Sequence, residues 1–158
     1  MHAPDRIEPQ GLSDYLSVMS RAVFEPGLSW RLVESKWPGI VEAFDGFDPK
    51  TVAAYSPADI GRLMTDPRVI RNRRKIEAVI HNAAEMLALD GAGGGFRDYL
   101  RSMGSYEELV ADLKSRFRFL GDSGTYHFLY AVGEAVPGWE QWLGDHPGTN
   151  AGKWGHSA

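Results

Sequence analysis

The segment Arg68-Val69-Ile70-Arg71-Asn72-Arg73-Arg74-Lys75 places five cationic side chains in eight positions of a chain whose formal net charge is −4. On a helix, Arg71, Arg74 and Lys75 would lie three and four residues apart on one face, where their mutual repulsion is unfavourable. No acid stands between Asp66 and Glu77 to relieve it. Two readings are open: a solvated helix face, or a surface whose counter-charge is a polyanion. A second basic group, Lys114, Arg116 and Arg118, precedes Gly121 and the N-terminus of a further predicted helix. There Arg118, Gly121 and Ser123 could meet phosphate oxygens through charge and free backbone N–H groups.

The other candidate chemistries are thinner. Trp30 follows the turn Glu25-Pro26-Gly27 and falls in the first turn of a helix opened by Ser29, where an indole either packs inside or lines a cleft. The histidines (His2, His81, His127, His146 and His156) show no metal-ligand spacing, and His127 suits packing or a hydrogen bond, so neither a metal nor another cofactor is expected. No Ser/His/Asp order or paired carboxylate pattern is present. The glycines of Asp90 to Phe96 (DGAGGGF) lack a following Gly-Lys-Ser/Thr and a preceding strand, and read as a surface loop rather than a phosphate loop.

Helices must position these groups. Apolar residues recur at helical spacing, as in Leu12, Tyr15, Leu16, Met19 and Val23, and alternating strand patterns are almost absent, so the fold class is all-α. Pro38 is expected to open a helix carrying Ile40, Val41 and Phe44. Asp48-Pro49 and Ser56-Pro57-Ala58-Asp59 are N-cap signals followed by proline at the first helical position. Asp66-Pro67 forces a turn after Thr65, and a new periodic run begins at Ile70, which makes a helix-hairpin-helix element. Ser105-Tyr106-Glu107-Glu108 reads as a capping box, a helix from about Asp122 to Val132 follows, and Trp139 and Trp142 pack a last short helix on the body.

With 158 residues, 43% of them apolar, the chain suits one compact domain, placed at 11–143 between a flexible N-terminus (1–10) and a flexible tail (144–158). The absence of cysteine rules out disulfides and thiolate ligands. No run approaches the about 18 apolar residues of a membrane span, and the N-terminus lacks a secretory pattern, so a cytoplasmic, soluble monomer is expected.

Taken in order, Gly27–Trp30 (GLSW), Phe47–Pro49 (FDP), Val52–Ala54 (VAA), Arg62-Leu63, Asp66, Ile70–Ala83 (IRNRRKIEAVIHNA), Phe117–Gly121 (FRFLG) and Ser123–Gly133 (SGTYHFLYAVG) resemble the DNA-3-methyladenine glycosylase I family. These are helix-hairpin-helix enzymes of base-excision repair. The resemblance implies double-stranded DNA carrying a damaged base as partner, phosphate contacts from Arg71, Arg73, Arg74 and Lys75, and flipping of an alkylated base such as 3-methyladenine before hydrolysis of its N-glycosidic bond. It places Trp30 on the family's base-stacking Trp and makes Tyr126 a second base-binding candidate. Methylation at N3 makes the base a cation, which an electron-rich ring can recognise.

The chain also departs from the family pattern. It lacks the N-terminal Cys, Tyr-His and Glu-Trp-Gly and the C-terminal His/Cys pair, which in the family hold a structural zinc and supply aromatic pocket walls. Ala22 occupies the place of the base-contacting Glu, and Glu25, one helical turn later, is the candidate substitute carboxylate. Arg68 replaces a hairpin glycine that allows close backbone approach to phosphate. Two alternatives to an enzyme follow: a DNA-binding module of this fold without catalysis, and an interaction domain that meets an acidic protein through its basic face.

Overall fold

The computed structural model describes residues 5–147. They form α1 (Leu12–Phe24), α2 (Trp30–Ala43), α3 (Pro49–Ala53), α4 (Pro57–Thr65), α5 (Arg73–Asp90), α6 (Phe96–Leu100), α7 (Tyr106–Arg116), α8 (Asp122–Ala131) and α9 (Trp139–Asp145), with a 3₁₀ turn at Asp45–Phe47 and no strand among the described residues. The all-α expectation holds. α5 is the spine: α3, α1, α6 and α4 all pack on it, and α1 in turn lies against α8. The stripe read from the sequence is the face α1 buries, with Tyr15, Leu16, Met19 and Val23 all inaccessible.

Local chemistry sets most helix starts. Ser29, Asp48, Ser56, Asn72 and Ser105 each accept a hydrogen bond from a first-turn N–H of the helix that follows. Ser56 and Asp59 close a full capping box. At Ser105 the box is only half formed. The Ser105 hydroxyl accepts from Glu108 N, but the Glu108 carboxylate accepts from Gly104 N, one residue before the cap.

Three expectations are corrected. Pro38 does not open a helix but lies inside α2, which starts eight residues earlier at Trp30, capped by Ser29, and runs on to Ala43 because Val33, Ile40 and Ala43 bury its inner face. α5 begins at Arg73 rather than near Ile70, since Asn72 supplies the cap; Arg71 therefore precedes the helix and does not share a helical face with Lys75. The ends are also more structured than expected over the described residues. Ile7 N donates to Ala131 O at 2.7 Å, Arg97 donates to Pro9 O, and Gly144 and Asp145 belong to α9. The rest of both expected flexible ends, 1–4 and 148–158, lies outside the described residues.

The hairpin between α4 and α5 is held from within. The Asp66 carboxylate accepts from the Arg68 backbone N–H and guanidinium, which holds its pKa down at about 2. Arg68 reaches Glu42 as well. The hairpin seats on α2 at Gly39, where a Cβ would stand 3.3 Å from that of Arg68, so only a residue without a side chain leaves ordinary clearance. Arg62 of α4 donates to Ala43 O at the C-terminal end of α2, which favours a cation.

Candidate base-binding cavity and cationic rim

Two chain segments enclose a cavity of about 770 Å³, within the range of small-molecule sites. The α1–α2 segment contributes Ala22, Glu25, Pro26, Gly27, Leu28, Ser29 and Trp30; the α7–α8 segment contributes Phe119, Gly121, Asp122, Ser123 and Gly124. α5 anchors both. The ammonium of Lys75 donates to Phe24 O at 3.3 Å and Pro26 O at 3.2 Å, fixing the turn that precedes Trp30. About two turns farther along the helix, Asn82, 1% exposed, pairs with both backbone groups of Arg118, and His81 meets Arg116 O.

Trp30 is half-buried and lines this cavity. α1 keeps helical dihedrals through Glu25, so Ala22 and Glu25 line the same space. Glu25 is 4% exposed and also lines a second cavity of about 250 Å³ with Arg21, Trp37 and His127. Burial pushes its carboxyl up to about 7, opposed by Arg21 and assisted by Glu34. Burial, with Arg21 nearby, pushes the His127 imidazole down to about 3. Nδ1 of His127 and Oε2 of Glu25 are 4.0 Å apart, beyond hydrogen-bond reach.

Tyr126 does not belong to this site. It is fully buried, stacked on Trp142 with ring centroids 4.5 Å apart, and its hydroxyl donates to Pro137 O at 2.7 Å. Its place is in a second apolar cluster with Trp139 and Trp142. The sequence offered no means of separating a pocket tyrosine from a core one, because both positions sit on an apolar helix.

The cations divide equally sharply. Of the five in residues 68–75, Arg68 is engaged by Asp66 and Glu42, and Lys75 by two carbonyls. Arg71, Arg73 and Arg74 are exposed, with only a loose 4.0 Å approach of Arg73 to Glu77. Arg74 lies 5.8 Å over the ring of Phe119 on the cavity. In the second basic group, Lys114 pairs with Asp122, and Arg116 with Asp112 and Glu85, leaving Arg118 exposed beside Gly121 and Ser123. α8 starts there without a side-chain cap. Lys75 is thus a structural tie, contrary to its expected place among the phosphate contacts.

The zinc site implied by the family resemblance does not fit this chain. There is no cysteine, and among the described residues no three His, Asp or Glu side chains gather as a metal site. No helix among the described residues is long and apolar enough to cross a membrane.

Residues 13–116 match the methyladenine glycosylase family profile. The chain is 32% identical over 130 residues to the DNA-3-methyladenine glycosylase of Haemophilus influenzae, covering 69% of this chain and 70% of that protein. The DNA-3-methyladenine glycosylase 1 of Escherichia coli K12 gives the same identity and coverage. Among solved structures, the 3-methyladenine DNA glycosylase I of Staphylococcus aureus superposes with a TM-score of 0.72 at 28% identity, over 82% of this chain and 80% of that one.

Proposed function

The chain belongs to the methyladenine glycosylase family, and from that premise we propose that it is a base-excision repair enzyme that removes an alkylated base, such as 3-methyladenine, from double-stranded DNA. The observation that carries this reading is the meeting of two features on α5: exposed Arg71, Arg73 and Arg74 around its N-terminus, and a cavity with an indole wall fixed to it by Lys75. The arginines hold phosphates, joined by Arg118, Gly121 and Ser123 at the start of α8. The damaged nucleotide turns out of the stack into the cavity and its base stacks on Trp30.

The chemistry asks little of the protein beyond this placement. A base methylated at N3 is cationic, so when the bond from its N9 to C1′ of the sugar breaks, the base takes the electron pair and leaves neutral. The oxygen of a water molecule bonds to C1′ and its proton passes to solvent. An electron-rich indole stabilises the cationic base in the site. Glu25, set back in the wall, gives electrostatic support in its ionised form, which a cation nearby favours. The protein works as a cytoplasmic monomer and needs no cofactor.

Incubation with methylated duplex DNA tests the proposal. Free methylated base and alkali-labile sites are expected from the wild type, with release reduced about tenfold to a hundredfold in Trp30→Ala, as loss of a principal stacking contact implies. DNA binding without any base release would overturn the enzyme and leave the non-catalytic module. Absence of DNA binding would leave only the protein-interaction reading.

A further inference from the structure

Glu25 stands where a carboxylate is hard to keep. It is 4% exposed, and its Oε2 is inaccessible and accepts no hydrogen bond from any described residue. The nearby cations are engaged elsewhere. Arg21, one turn back on α1, lies 5.9 Å over the Trp37 ring, and Lys75 of α5 gives its ammonium to the Phe24 and Pro26 carbonyls on either side of Glu25. The other titratable groups around it are Asp5 of the N-terminal segment, Glu34 of α2 and His127 of α8 in the second cavity, and Asp122 of α8 in the first. Burial withholds the solvent that would carry a negative charge, and Glu34 opposes one. Below about pH 7 the carboxyl therefore holds a proton until a cation arrives.

That condition divides substrates by charge. A cationic base in the cavity draws the proton off and leaves the ionised form that supports it. A base without formal charge leaves the acid intact, and it is also the base that needs one, because it would otherwise depart as an anion. The wall around Glu25 includes Ala22, Gly27 and Gly124, whose small side chains leave room for a base to approach. Resting on the proposed excision of a flipped base, we infer that Glu25 is a general acid and that the enzyme also removes alkylated purines without formal charge, the class to which ethenoadenine belongs. As the bond from N9 to C1′ breaks, its electron pair goes to the base and the Glu25 carboxyl donates its proton to a ring nitrogen, so the base leaves neutral. The oxygen of a water molecule bonds to C1′ and its proton passes to solvent. Glu25 regains a proton from solvent through the second cavity, which meets the first at this residue.

The experiment incubates the full chain with methylated duplex DNA and, separately, with a duplex carrying a single ethenoadenine, across a range of pH, and measures free base. Release of ethenoadenine should fall as pH rises through about 7, opposite in sense to release of the cationic base. Glu25→Gln should lower ethenoadenine release about a hundredfold or more and remove its pH dependence, as loss of a general acid implies. Continued release of methylated base by this variant, without the rise through about pH 7, shows that it is folded. The wild-type profile tests the inference by itself if the variant does not fold. Wild type that releases methylated base but no ethenoadenine would overturn the inference and leave the glycosylase reading intact. Ethenoadenine release that is undiminished in Glu25→Gln, or that does not fall with pH in wild type, would overturn it too. Ethenoadenine release without methylated base would sink the reading for cationic bases alone, and DNA binding with release of neither base would sink both.

Discussion

Residues 68–75 and 114–118 look alike in sequence, each a cluster of cations near a helix end, yet the folded chain uses them differently. In the second cluster two of three cations are neutralised by Asp122, Asp112 and Glu85. In the first, one is neutralised and one is bound to carbonyls, while Arg71, Arg73 and Arg74 stay exposed. Charge density along a chain therefore measures neither available charge nor its purpose. Acids far away in sequence decide what is left over, and only the fold brings them near.

The largest effect should come from the cluster left open. Replacing Arg71, Arg73 and Arg74 together by Ala should reduce duplex affinity by about a hundredfold or more at physiological salt and flatten the log–log salt dependence by about 2.7, as three neutralised phosphates require. A titration across salt concentrations checks it, and an unchanged slope would break the comparison.

Lys75→Met sharpens it from the other direction. Loss of two charged hydrogen bonds at the end of α1 should cost roughly 2–3 kcal/mol of stability in denaturant unfolding and lower excision by the displaced Trp30 wall. The salt slope of binding should stay as in wild type, since this ammonium meets no phosphate.

Glu25 contrasts with the arginines because its charge changes in the working range. Folding raises its pKa from an ordinary 4.5 to about 7, so its contribution to stability is full below 4.5 and lost as pH rises through about 7. Wild type should therefore lose roughly 2–3 kcal/mol relative to Glu25→Gln between those limits, read from unfolding midpoints. His127 has the opposite sense, since its lowered pKa costs stability as pH falls from 6.5, and that trend cancels in the difference between the two proteins. If Glu25 works ionised, kcat/KM for excision rises through about pH 7 and this rise disappears in Glu25→Gln.

The smallest effect belongs to the closed cluster. Arg116→Ala and Lys114→Ala should each cost at most about 1 kcal/mol of stability, as exposed ion pairs do, and leave the salt slope of binding unchanged. A slope lowered by about 0.9 in either variant would show that these cations do meet phosphate.

Helix content, most caps and the hairpin turn were legible because they rest on contacts within four residues: Ser56 with Asp59, Asp48 with Thr51, Asp66 with Arg68. The turn and cap before Trp30 were legible, but whether its indole packs inside or lines a cleft was not. Tyr126 was not, because whether an aromatic residue on an apolar helix faces a cavity or a neighbour depends on Trp142, sixteen residues on. The two segments that make the cavity are nearly a hundred residues apart, and the ties that set them, Lys75 to Pro26 and Asn82 to Arg118, span 49 and 36 residues. The sequence by itself determined the all-helical class, the hairpin and the cationic stretch, since periodicity, capping and composition are local. The tertiary structure alone decided which cations remain open, that Glu25 is buried and Phe119 exposed, and that both lie on one cavity with Trp30, because long-range contacts set burial and pairing.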